Sequence, residues 1–242
     1  MKTFGRVLTA MITSFNEDGS VNIENSVAIA EHLLNHGSDG LVVCGTTGEN
    51  PTISRESKIA LFKAIAETCG DKGTIIANLG SNDTKGSVDF VKEVSTIPGI
   101  DGLLVVVPYY NKPNQQGQYL HFKSIAEATT LPIMVYNVPG RVGTGIFPAT
   151  LARLHKEYPH ICAIKEASGN LMIASEIKRL MPGDDFMVYS GDDGLTLPIL
   201  SVGGTGVISV VSHVAGQDMN DMIAAFEEGN NKKATQLHQK LA

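Results

Sequence analysis

Eight short apolar runs recur along the 242 residues, each followed by a segment of helix length. The runs are Val7–Thr13, Gly40–Cys44, Thr74–Leu79, Gly102–Val107, Pro132–Val138, Ile161–Glu166, Phe186–Ser190 and Gly206–Val211. After them come Ile23–Asn35, Arg55–Thr68, Thr84–Ser95, Gln115–Ala128, Phe147–Tyr158, Leu171–Leu180, Leu195–Val202 and Gln217–Glu228, the last closing the pattern. Runs that are apolar throughout, rather than alternating, read as strands covered on both faces of a parallel sheet. Helices between parallel strands make right-handed crossovers. Eight such units predict an α/β fold, a closed (β/α)8 TIM barrel, with an open doubly wound sheet as the alternative. No linker, charge run or low-complexity stretch divides the chain, so residues 1–242 read as a single domain.

The remaining totals exclude more than they assign. A net charge of −6 gives no reason to expect nucleic acid or an anionic membrane as partner. Cys44, Cys69 and Cys162 are odd in number and lack metal-site spacing, which suits reduced thiols in the cytoplasm. Met1-Lys2-Thr3 leads straight into a strand-like run without the features of a signal peptide. No apolar run approaches the roughly 18–20 residues of a membrane-spanning helix.

A barrel places its chemistry at the C-terminal ends of its strands and in the loops that follow. Lys165 sits at such an end, inside an apolar run. Burial of an unpaired ammonium is expensive, so its pKa should fall and leave part of the amine neutral and nucleophilic. A salt bridge to a neighbouring carboxylate is the alternative. Gly45-Thr46-Thr47-Gly48-Glu49 follows the second strand and offers hydroxyls and amides to a small carboxylate, or else an ST-turn that caps a helix. Tyr109 and Tyr110 follow the fourth strand, where two loop aromatics by themselves suit a surface or an interface. Tyr136 ends the fifth strand, where a phenol can relay protons. Arg141, in the next loop, offers a forked donor to a substrate carboxylate, or is a solvated charge. Ser190-Gly191-Asp192-Asp193 follows the seventh strand; without a second ligand cluster the aspartates read as helix caps rather than metal ligands. Gly203-Gly204-Thr205-Gly206 precedes the eighth strand and reads as a tight turn. His32 and His36 read as a structural pair, because their order is not that of a zinc motif.

Taken together these stretches resemble the dihydrodipicolinate synthase family, pyruvate-dependent class I aldolases grouped with N-acetylneuraminate lyase. The resemblance runs collinearly from about Gly5 to Val214 through GTTGE (45–49), PYYNKP (108–113), YNVPGR (136–141), IKEASG (164–169), SGDD (190–193) and GVIS (206–209). It implies a lyase that condenses pyruvate with L-aspartate 4-semialdehyde, the committed step of lysine and diaminopimelate biosynthesis. Lys165 would form the Schiff base and Tyr136 would move protons. Thr46 and Tyr110 would complete the relay, with Tyr110 reaching in from a neighbouring subunit. Thr47 would bind the pyruvate carboxylate and Arg141 that of the semialdehyde, while the carbonyls of Gly191 and Ile208 line the site. Neither cofactor nor metal is implied, and the assembly would be a homotetramer of tight dimers. The nearest rival is an aldolase of the same superfamily acting on a sialic acid or a 2-keto-3-deoxy sugar acid. A keto-acid sensor built on a silent barrel would lack Lys165 or Tyr136, and neither is missing.

Two departures stand out. At the positions of the family's lysine-effector cleft stand Asn50, Pro51, Arg55, Lys58, Asn82, Gly86 and Tyr109. Gly86 supplies no acid for a lysine ammonium while Arg55 and Lys58 add positive charge, so weak or absent lysine inhibition is expected. The chain also stops at Ala242, shortly after the eighth helix, so the C-terminal helical extension the family carries is expected to be absent here.

Overall fold

A computed structural model describes residues 4–241. The Met1–Thr3 stretch and the terminal Ala242, both weighed above, lie outside them. In chain order the elements are β1 (Val7–Ala10), α1 (Ile23–Asn35), β2 (Gly40–Val43), α2 (Arg55–Cys69), β3 (Thr74–Asn78), α3 (Thr84–Val94), β4 (Gly102–Val106) and α4 (Gln115–Ala126). Then follow β5 (Ile133–Asn137), α5 (Pro139–Val142), α6 (Pro148–Glu157), β6 (Ile161–Glu166), α7 (Leu171–Leu180), β7 (Met187–Ser190), α8 (Thr196–Ser201), β8 (Gly206–Ser209), α9 (Ser212–Glu227) and α10 (Asn231–Leu241). Short 3-10 turns stand at Asn50–Thr52 and Asp193–Leu195.

The strands pair in sequence order, all parallel, and β8 closes on β1. The open-sheet alternative is thereby excluded. Almost every strand residue is buried, as continuous apolar runs require when helices cover the outside. Phe62, Phe122, Phe186, Ile65 and Leu33 fill the space between helices and barrel wall. The crossovers start on local signals that the sequence carries. Asn22, Ser54 and Asn114 each accept a backbone N–H from the first turn of α1, α2 and α4.

Several boundaries differ from those read in the sequence, and for one reason. β1 ends at Ala10 rather than Thr13, and β8 at Ser209 rather than Val211, because the apolar chain runs on after its neighbour has stopped pairing. The expectation that Gln217–Glu228 is the last helix is corrected. The helix spans Ser212–Glu227 with a non-helical Ala215 inside, and α10 follows it. The polar run of α10 hides its stripe; Ala234 is buried, and Leu237 and Leu241 pack against the cluster of Met219, Met222 and Ile223. Gly203-Gly204-Thr205-Gly206 is the expected tight turn, with Gly203 at φ +91°. The rings of His32 and His36 stack, and His36 Nδ1 bonds the His32 carbonyl, a structural pair. Among the described residues no helix is long and apolar enough to cross a membrane.

Candidate active site

Strand register brings the two most reactive side chains together. Tyr136 in β5 lies abreast of Lys165 in β6, and Lys165 abreast of Tyr189 in β7. The Lys165 Nζ stands 4.6 Å from the centre of the Tyr136 ring. Both residues are buried, at 8% and 7% exposure. Lys165 forms no ion pair among the described residues, which removes the salt-bridge reading. Burial drives its pKa down to about 8; Asp193 pulls the other way and Arg141 adds to the fall. A minor fraction of the amine is therefore neutral at pH 7, far more than for a free lysine. Burial likewise raises the Tyr136 phenol, partly offset by the neighbouring Thr46 side chain and by the charge of Arg141.

Thr46, Tyr110, Tyr136 and Arg141 line one cavity of about 750 Å³, a volume suited to a small metabolite. They arrive from β2, β4 and β5, so sequence separation hides their proximity. Tyr110 is 88% exposed and held at φ +68°, with Lys112 at φ +44°. Two left-handed residues in one loop present the Tyr110 ring outward rather than folding it onto its own barrel. Gly191 abuts Lys165: a Cβ there would stand 3.0 Å from Lys165 Cε. Lys165, Gly191, Thr47 and Ile208 stand outside the lining of that cavity; Lys165 meets it through Tyr136, and Ile208 is buried in β8 opposite Leu8.

Two polar residues, Asn78 and Glu166, have no role in the sequence reading, and a third, Asp193, does more than the capping expected of it. Asn78, at the end of β3, lines the cavity and donates to the Cys44 carbonyl at 2.8 Å, bracing a residue at φ +56°. Its signal was a lone amide inside an apolar strand. Asp192 caps its own turn as expected, but Asp193 Oδ2 reaches across to accept from Val210 and Val211 N–H at 3.0 and 3.1 Å. Glu166 is a buried carboxylate beside Lys165. Among the described residues no group of three or more His, Cys, Asp or Glu gathers for a metal.

The Dihydrodipicolinate synthetase family model matches residues 3–242. The chain belongs to that family. The 4-hydroxy-tetrahydrodipicolinate synthase of Desulforamulus reducens is 51% identical over 238 residues, 98% of this chain and 80% of the relative. That of Synechococcus elongatus is 51% identical over 239 residues, with 98% and 79% covered. Among solved structures, the dihydrodipicolinate synthase of Bacillus anthracis superposes with a TM-score of 0.95 at 46% identity, covering 100% of this chain and 82% of that one. The family member from Cyanidioschyzon merolae, solved with lysine bound, gives 0.94 at 44% identity over 97% and 80%. The likeness thus runs the length of the barrel.

Proposed function

We propose that this chain is a lyase that condenses pyruvate with L-aspartate 4-semialdehyde to 4-hydroxy-tetrahydrodipicolinate, in lysine and diaminopimelate biosynthesis. The observation that carries the reading is the unpaired, buried Lys165 against the ring of Tyr136, which with Arg141 lines the cavity. The neutral amine attacks the pyruvate ketone, and loss of water leaves a protonated imine on Lys165. That imine draws electrons from the adjacent methyl, which loses a proton and becomes an enamine. Tyr136, with Thr46 beside it in the cavity wall, moves protons during imine formation and at the new carbon centre. Tyr110 completes the relay from a neighbouring subunit, which agrees with its exposed, outward-held ring. Thr47 with the amides of its turn binds the pyruvate carboxylate, and Arg141 binds that of the semialdehyde. The resemblance assigns the carbonyls of Gly191 and Ile208 to the pyruvate end; Gly191 abuts Lys165, whereas Ile208 lies outside the cavity lining. The enamine attacks the aldehyde, the amine of the semialdehyde part displaces Lys165 from the imine, and the ring closes.

We further infer a homotetramer of tight dimers in the cytoplasm, with residues 1–242 as one folding unit. Three buried free cysteines suit a reducing compartment. Treatment with pyruvate and borohydride tests the chemistry: mass spectrometry should find a reduced pyruvate adduct on Lys165, absent in Lys165→Ala. An unmodified Lys165 overturns the mechanism. Turnover with N-acetylmannosamine in place of the semialdehyde would move the chain to the lyase branch.

A further inference from the structure

We infer that Asn137 and Glu166 are positioning residues: a buried clamp that holds the Arg141 loop over Lys165 and so sets affinity for the second substrate. The inference rests on the imine reading above and on a hydrogen-bond chain that reading does not use. Asn137 and Glu166 directly follow Tyr136 and Lys165, lie abreast in β5 and β6, and are 1% and 3% exposed. Neighbours in a strand face opposite sides, so this pair points away from the two reactive groups. Asn137 Nδ2 donates to Glu166 Oε2 at 2.7 Å. Asn137 Oδ1 accepts from Ile146 N–H at 3.1 Å, and Glu166 Oε1 accepts from Ser168 N–H at 2.7 Å. Three donors thus meet three acceptors.

The chain has a mechanical consequence. The loop that leaves β5 at Val138 carries Arg141 in α5 and returns at Ile146. Asn137 stands at its root and grips its return, so the loop is closed on its own base. A Cβ on Gly145 would lie 3.1 Å from Asn137 Oδ1, which shows how closely the returning backbone is seated. Ser168 opens the turn after β6, so the same clamp ties the Arg141 loop to the strand of Lys165. Glu166 has no cationic partner among the described residues. A buried, unpaired carboxylate is costly wherever an apolar residue would serve, which points to a geometric role. Gln115 of α4 grips the far side of the return, donating to Gly145 O and accepting from Phe147 N–H at 2.8 and 2.9 Å. Losing the clamp should therefore loosen the loop rather than unfold it.

The test exchanges donor and acceptor. In Glu166→Gln or Asn137→Asp alone, no flip of either side chain satisfies all three bonds. Together the two substitutions restore them with the direction of the central bond reversed and the charge kept. Each single variant is expected to raise the KM for aspartate semialdehyde about tenfold. Borohydride trapping of pyruvate on Lys165 should stay within about twofold of the parent, since the loop, not the lysine, has moved. Amide exchange in residues 138–147 should rise in both singles, and the double variant should recover KM and protection. Unchanged KM in folded singles, or a double no better than the singles, overturns the inference. If the singles do not fold, a folded and active double supports it and an inactive one overturns it. Failure of the parent enzyme to form the adduct would instead count against the imine reading.

Discussion

At pH 7 the fold holds the Lys165 ammonium where burial opposes it, and the penalty has a definite sign with pH. The group binds its proton less tightly in the folded chain, at about 8, than a free lysine amine does at 10.5. The folded state is therefore penalised most below about pH 8, and the penalty fades as pH rises towards 10.5. Lys165→Met should stabilise the protein by on the order of 3 kcal/mol at pH 7. The gain should shrink at pH 9.5, as read from urea midpoints at the two pH values, while no pyruvate adduct forms. In the parent enzyme the rate of borohydride trapping should rise with pH through about 8, as the amine becomes neutral. Tyr136→Phe should slow turnover and leave the melting temperature close to the parent's.

Among elements, the ends of β6 and β7 and the cleft between α2 and α3 carry separate expectations. Gly191 is small because two neighbours leave no room: a Cβ would meet Ala167 Cβ at 2.5 Å as well as Lys165 Cε. Gly191→Ala should cost about 1–3 kcal/mol of stability by overpacking. It should also slow adduct formation on Lys165 about tenfold by displacing the amine, as single-turnover trapping would show. On the outer side, Asn50, Pro51, Arg55, Lys58, Gly86 and Tyr109 line a cavity of about 300 Å³ with no carboxylate in its wall, and Asn82 stands outside it. Arg55 already pairs with Glu93 at 2.7 Å, and Lys58 is half-buried with its pKa lowered by burial. A lysine ammonium finds two cations there and no partner, so lysine at low millimolar concentration should leave steady-state rates unchanged. The helices themselves were legible wherever a cap stood before an apolar stripe, as at Ser54 before α2. α5 was not, because Pro139–Val142 is too short to show a period.

On the scale of the whole molecule, the proposed relay through the exposed Tyr110 would make each site depend on a second chain. Co-expression of Lys165→Ala with Tyr110→Phe checks this. Each parent variant should be nearly inactive, whereas a mixed dimer holds one complete site and should recover activity. No recovery would confine Tyr110 to its own subunit. Thermal unfolding should show one transition for residues 1–242, as a closed barrel has no natural place to divide.

The sequence by itself determined the architecture, because eight fully apolar strands can be covered only by helices on the outside and by one another within. It also pointed to Lys165 and Tyr136, which interrupt apolar runs with groups that packing alone does not want, whereas Tyr110 and Arg141 stand in loops and were singled out by the family resemblance. Only the tertiary structure decided which of these meet. Register, which no local pattern states, set Lys165 beside Tyr136 and put Asn137 opposite Glu166. Closure of the barrel brought Asp193 under the loop after β8, and left Ile208 and Thr47 outside the cavity lining. Side chains from distant strands are neighbours only once the sheet has curled shut, and proximity of that kind is a property of the closed barrel rather than of any segment within it.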